Sequence, residues 1–191
     1  MTEFRHETQR LVLRDWHEGD WDEQFRLTNT PDVMRWLGGV QDAEARAKQM
    51  ARVDSWQGQH GFTFWVVERK PDGGHLSGET LGICGLKRAD APGSTVTGTM
   101  EIGWRMRQES WGHGYAKEAA MAAMDLGFTR FGGDRIVALT VQQNAASWGL
   151  MLRLGMTRRA DLDYVDERYS AELNPTIVYA ITKDEWEQRV K

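Results

Sequence analysis

Between residues 100 and 141 the chain holds an alternating strand, a glycine-rich loop, an amphipathic helix and a second strand, and this unit constrains the fold more than any other feature. Met100, Ile102, Trp104 and Met106 fall on one face of the first strand, and Glu101, Gly103 and Arg105 on the other. Gly112 and Gly114 punctuate the loop. From Gly114 to Phe131 the residues Ala119, Ala120, Ala123, Met124, Gly127 and Phe128 share one side of a helix, which Gly132 and Gly133 end. Arg135 to Val141 is rich in β-branched residues and reads as the second strand. A strand, helix, strand unit of this size implies a right-handed parallel crossover.

The flanking sequence supplies further elements. Leu11 to Arg14 reads as a first strand, and Asp20 to Thr28 as a helix with Trp21, Phe25 and Thr28 on one face. Thr30 followed by Pro31 has the order of an N-cap and first helical residue, predicting a short helix through Trp36 that Gly38-Gly39 ends. Asp42 to Trp56 predicts a third helix. Phe62 to Val67 is strand-like, and the turn Pro71 to Gly74 predicts that Thr80 to Leu86 returns as its antiparallel partner. A helix from Ala145 to Leu154 ended by Gly155, strand sequence at Thr176 to Ile181 and a terminal helix from Asp184 complete the pattern. The expected fold class is α/β with a mixed sheet, in one domain over residues 1–191.

Composition narrows the functional classes. Lys plus Arg is 24 and Asp plus Glu is 28, a net charge of −4, which gives little basis for binding nucleic acid phosphates. No apolar run approaches ~18 residues and no secretory signal precedes Arg14, so neither membrane binding nor export is expected. Cys84 is the one cysteine, so a reducing, cytoplasmic location is expected, with Cys84 a buried small hydrophobe. The histidines at 6, 17, 60, 75 and 113 show no metal-ligand spacing. Most of the nine tryptophans are expected in the core.

The loop is the strongest functional signal. Glycines let a backbone approach a ligand closely, and the first amide groups of a helix have no internal partners and lie at the positive end of its dipole. That combination holds a pyrophosphate. A nucleoside-triphosphate loop requires G-x-x-x-x-G-K-[ST], and this loop has no such lysine. A dinucleotide fingerprint requires G-x-G-x-x-G, and Lys117 stands at the third glycine. Residues 111–119 read WGHGYAKEA, which resembles the acetyl-CoA loop of the GNAT superfamily, [R/Q]-x-x-G-x-[G/A]. Gly114 and Ala116 match the last two fixed positions, while Trp111 departs from the first. The W-G-x-G-Y-A form followed by Glu-Ala is similar to the branch of ribosomal-protein N-terminal acetyltransferases. The likeness extends to the opening strand at residues 8–14, to residues 100–104, to Asn144-x-x-Ser147 before a helix ending Leu154-Gly155-Met156, and to residues 179–186.

The resemblance implies the GNAT acyl-CoA N-acyltransferase fold, a central and mostly antiparallel sheet splayed between its fourth and fifth strands to hold acetyl-CoA, with no metal. It implies that the backbone of Trp104, Arg105 and Met106 pairs with the pantetheine arm. It further implies that Trp111, Gly112, His113, Gly114, Tyr115 and Ala116 form the pyrophosphate cradle, and that Ser147 hydrogen-bonds the CoA thiolate. Asn144 is either a helix cap or a cofactor contact.

Amine acetylation needs a base, and Glu101 is the first candidate, acting directly or through water. Gly103 beside it would leave room for substrate, although a salt bridge to Arg105 is the plainer reading of Glu101. The expected acceptor is a primary amine, foremost a protein N-terminal α-amine. A small amine such as a polyamine, an amino acid or an aminoglycoside is the alternative, and a catalytically silent acyl-CoA-binding domain is the reading from a different class. The acidic segment Asp161 to Glu167 would draw a basic acceptor, or is an ordinary solvated loop. Homodimer formation is left open.

Overall fold

Residues 3–189 are described by a computed structural model of the chain. The chain opens with a hairpin of β1 (Arg5–Glu7) and β2 (Leu11–Arg14). Three helices follow: α1 (Asp20–Thr28), α2 (Pro31–Met34) and α3 (Ala43–His60). Then come β3 (Phe64–Arg69), β4 (Thr80–Arg88) and β5 (Met100–Met106), the helix α4 (Tyr115–Thr129) and β6 (Arg135–Val141). The chain ends with α5 (Ala145–Arg153), the two-residue β7 (Thr157–Arg158), β8 (Thr176–Thr182) and α6 (Lys183–Arg189).

Local chemistry sets these boundaries. The Thr30 side chain accepts from the Val33 amide and so caps α2, with Pro31 at the first helical position. Asp42 caps α3 through the Ala45 amide at 2.8 Å. α3 runs one turn past Trp56, to a left-handed Gly61, and this displaces the start of β3 from Phe62 to Phe64. α2 stops at Met34, short of the expected Trp36. The hairpin strand β1 is an addition to the expected pattern: its outward residues Arg5 and Glu7 are exposed and carry no apolar alternation for sequence reading to find.

The eight strands form one sheet in the order β1-β2-β3-β4-β5-β6-β8-β7. All neighbours are antiparallel except β5 and β6, which the α4 crossover makes parallel. β5 is paired along its length to β4, from Met100 opposite Arg88 to Met106 opposite Gly82. Its pairing with β6 stops after Met100 opposite Ile136 and Glu101 opposite Val137. Beyond Glu101 the two strands diverge. The splay expected between the fourth and fifth strands therefore falls between β5 and β6, because β1 shifts the count by one.

Two layers of helix cover the sheet. Ala119, Ala120, Ala123, Met124 and Phe128 of α4 are buried against Leu86, Met100 and Ile102, together with Met151 of α5 and Trp186 of α6. Burying side chains such as Met124 and Phe128 contributes roughly 1.5–3 kcal/mol each. α2 and α3 cover the opposite face of β5, where the Arg105 side chain meets Met34 and Gln49. Cys84 is fully buried, and burial pushes its thiol up, so it behaves as a small hydrophobe.

Candidate active site

The divergence of β5 and β6 opens a cleft of about 1000 Å³. Glu101 to Met106, the loop residues Trp111, Gly112 and Gly114, the first turn of α4 and the first turns of α5 all line it. So do α2 and the inner side of α3. The unpaired edge of β5 faces into the splay from Ile102 onward. An extended arm bearing amides can add to such an edge as an extra strand would.

At one end of the cleft the loop turns into α4. Gly112 and Gly114 have φ of +79° and +78°, left-handed values that favour glycine. The first helical bond of α4 is donated by the Glu118 amide to the Gly114 carbonyl at 3.1 Å, so the amides of Tyr115, Ala116 and Lys117 precede the intrahelical ladder. A Cβ built at Gly112 meets nothing within 4 Å, which leaves its surface open to a ligand. These features fit a pyrophosphate. Trp111 donates from Nε1 to the Met106 carbonyl at 3.0 Å and ties the loop to the end of β5. This bond gives the departing tryptophan a structural role.

The cradle is anchored from behind. Glu118 accepts from the Arg10 amide at 2.7 Å, the Thr8 hydroxyl at 2.6 Å and Arg10 Nε at 2.7 Å. Burial raises its carboxyl, but the hydrogen bonds from Thr8 and Arg10 outweigh that and hold it low. Arg10 also donates to the His113 carbonyl and lies over the Tyr115 ring. The Tyr115 phenol accepts from Arg69 Nε at 3.2 Å and donates to the His75 carbonyl at 3.0 Å. Its ring therefore packs behind the loop. The His113 imidazole is exposed, stacks on His75 at 3.8 Å and does not line the cleft, so a cradle contact from His113 is limited to its backbone.

Glu101 sits in the middle of the cleft with its side chain 12% exposed. Its ion-pair partner is Lys87, directly opposite on β4 and 2.8 Å from Oε2, rather than Arg105. Strand alternation puts Arg105 on the same face but four residues along, whereas cross-strand pairing brings Lys87 alongside. The better-aligned donation of Lys87 goes to Asp90 at 2.7 Å, and Asp90 also accepts from Arg52 at 2.8 Å. Burial raises the Glu101 carboxyl, only partly opposed by Lys87. Gly103 serves a different purpose from the one expected. A Cβ there would lie 2.8 Å from the Phe64 ring, so the missing side chain makes room for that ring on the cleft floor.

On the far wall Asn144 accepts from the Ser147 amide at 3.3 Å, which makes it the N-cap of α5 while it also lines the cleft. Ser147 is half-buried, lines the cleft, and its hydroxyl enters no hydrogen bond among the described residues. Tyr164 is a residue that sequence reading missed. It bridges to Thr176, lines the cleft, and burial pushes its phenol up to about 12, which keeps it a proton-bearing donor. Only its long-range pairing brings it there. Tyr179 is buried in the core.

The tryptophans depart from the expected core placement. Trp36, Trp56, Trp104 and Trp111 line the cleft, so four of the nine tryptophans form its apolar walls while Trp65 and Trp186 are core residues. The segment from Asp161 to Glu167 is no free acidic rim. Asp161 pairs with Arg159 at 2.7 Å, Asp163 with Arg158, and the buried Asp166 with Arg168 at 2.6 Å. Neighbouring arginines pair three of its four carboxylates, Glu167 is exposed without an ion-pair partner among the described residues, and the ordinary-loop reading fits this segment. Among the described residues no helix is long and apolar enough to cross a membrane.

The GNAT acetyltransferase domain family matches residues 10–157, spanning β2, the cleft strands, the cradle and α5. The uncharacterised protein YkkB of Bacillus subtilis is 33% identical over 78% of this chain and 83% of its own length. Among solved structures, an acetyltransferase from Agrobacterium tumefaciens superposes with a TM-score of 0.78 at 21% identity, covering 95% of each chain. A spermidine N-acetyltransferase from Vibrio cholerae, in complex with CoA and spermine, superposes at 0.72 with 16% identity over 94% of this chain and 99% of that one. The chain belongs to the GNAT acetyltransferase family and is an acetyl-CoA-dependent N-acetyltransferase.

Proposed function

We propose that the enzyme transfers acetyl from acetyl-CoA directly to a primary amine in a ternary complex, with Glu101 as base, directly or through water, and Ser147 as the hydrogen-bond donor to the departing sulfur. The observation that carries this reading is the single cleft that joins the Gly112–Ala116 cradle, the free edge of β5, Glu101 and the uncommitted Ser147 hydroxyl. The ammonium form of the acceptor gives a proton to Glu101. The neutral nitrogen attacks the thioester carbonyl carbon, the C–N bond forms and the C–S bond breaks. The nitrogen's remaining surplus proton ends on the CoA sulfur, whose charge the Ser147 hydroxyl stabilises while the proton transfers. Both groups act on charge that develops during the reaction, where a fixed donor or base lowers the barrier most.

The acceptor we propose is a protein N-terminal α-amine. An α-amine has a pKa of about 8 and a lysine about 10.4, so at pH 7 deprotonation costs roughly 1.4 kcal/mol for the first and roughly 4.6 kcal/mol for the second. One carboxylate, raised by burial toward the amine, suits the smaller demand. The likeness of WGHGYAKEA to the ribosomal-protein branch supports the same acceptor, and a single GNAT domain over residues 1–191 acting in the cytoplasm is part of this proposal. Matched peptides with a free or blocked N-terminus, each carrying one lysine, test this choice alongside spermidine and an aminoglycoside. Acetylation mapped by mass to the α-amine is expected. Product on the lysine, or on the small amines alone, contradicts it.

A further inference from the structure

Arg105 is 8% exposed, lies on the Glu101 face of β5 and lines the α2–α3 side of the cleft. Its Nη1 donates to Gln49 Oε1 at 3.2 Å and lies 3.6 Å from Met34 Sδ. Nε and Nη2 are shielded from solvent by the side chains around them and have no hydrogen-bond partner, and among the described residues no carboxylate is within ion-pair distance of the group. These two nitrogens form one edge of the guanidinium, the edge from which it donates two parallel bonds to a planar anion. The surrounding charges are satisfied elsewhere. Asp32 pairs with Arg35, Lys48 with Glu44, and Arg52 with Asp90. Burial pulls the guanidinium down to about 10, still far above neutral pH, so it remains cationic. An unpaired buried cation opposes folding, and an anionic ligand relieves that penalty.

Building on the amine-transfer reading, we infer that the free edge of Arg105 is a carboxylate subsite for the acceptor, so the preferred amine carries a carboxylate close to its nitrogen. Glu101 and Arg105 lie four residues apart on one strand face, ~13 Å between Cα positions, so an acceptor that reaches both bridges the interval left between their side chains. An acceptor bound there presents nitrogen to Glu101 and carboxylate to the guanidinium. The carboxylate belongs either to a free amino acid or to an acidic residue at the start of a peptide.

The test compares kcat/KM within two sets of acceptors: amino acids against their carboxamides, and C-terminally amidated peptides beginning with Asp or Glu against the same peptides beginning with Asn or Gln. The carboxylate member of at least one set is expected to be favoured ~10- to 100-fold, the range for a charge-assisted hydrogen-bond pair, and the set that shows it identifies the source. Arg105→Gln should bring that ratio close to one, while Arg105→Lys, which keeps the charge and loses the fork, keeps part of it. In the absence of ligand, Arg105→Met should melt at a higher temperature than the parent, since it removes an unpaired buried charge. Equal rates within both sets, or a preference that survives in Arg105→Gln, overturns the subsite. A lower melting temperature for Arg105→Met contradicts it as well. Failure of the underlying reading looks different: acetyl-CoA binds and no amine of either set is acetylated, which removes both proposals.

Discussion

Glu101 concentrates the tension between stability and chemistry in this protein. Burial raises its carboxyl, so folding penalises the charged form more than the protonated one. A group raised in this way stabilises the fold fully below its unfolded pKa, about 4.3, and loses that contribution as pH rises through its folded value. At pH 7 the charged Glu101 therefore opposes folding. Glu101→Gln is expected to melt no lower than the parent at pH 7 and to lose ground relative to it as the pH falls toward about 4, measured by melting at a series of pH values. The same variant should lose about 10²- to 10⁴-fold in kcat, and the acidic limb of the parent's kcat/KM profile should lie above the ordinary glutamate range. A full-rate Glu101→Gln assigns the base elsewhere. For Ser147→Ala the expectation is about a tenfold or greater loss in kcat with acetyl-CoA binding retained, since its hydroxyl acts on charge present only during transfer. That Glu101 and the cradle glycines line one cleft was legible in strand alternation and glycine spacing, whereas Ser147 was picked out by the family resemblance. Lys87, Tyr164 and the filled space over Gly103 were not legible, because each depends on a neighbour from another strand or a bridge: Glu101 opposite Lys87, Thr176 opposite Tyr164, and Phe64 over Gly103.

The elements follow local rules closely. β5 and β6 have the boundaries their alternation predicts, and α2, α3 and α5 begin at side-chain caps. Errors fall where a tertiary contact decides an edge, as in the exposed strand β1 and the two-residue strand β7. β1 is explained by its partner β2 and by Glu118, which pins the intervening turn to the first turn of α4. That pin makes the cradle a composite of two distant segments. Glu118→Gln is expected to destabilise the fold by about 2 kcal/mol, the scale of charge-assisted hydrogen bonds discounted for partial exposure, and to weaken acetyl-CoA binding with it. Equilibrium unfolding and a binding titration check the two effects. Gly114→Val places a β-branched residue at φ +78° and crowds the cradle, at a cost of roughly 1–3 kcal/mol. It should also abolish the stabilisation that acetyl-CoA gives. A melting shift equal to the parent's contradicts the cradle assignment.

At the scale of the whole molecule, function rests on one topological event, the parting of β5 from β6 just after Glu101. The crossover was readable from the strand, helix, strand order, since handedness and parallel pairing follow from it. The extent of pairing was not, since it depends on how α4 and α5 pack on one face while α2 and α3 pack on the other. The cleft between these layers makes acetyl-CoA a ligand of the folded state alone, so at ~100 times its dissociation constant it should add about 2.7 kcal/mol of stability without any metal. Binding alone would also satisfy a silent cofactor-binding domain. The most direct test of acetyl transfer is to incubate the protein with acetyl-CoA and the free- and blocked-N-terminus peptides, following released CoA and the mass and position of the acetyl group together. The predicted result is stoichiometric CoA release with acetyl on the α-amine, lost in Glu101→Gln. A melting shift with acetyl-CoA, but with neither CoA released nor any amine acetylated, would contradict it.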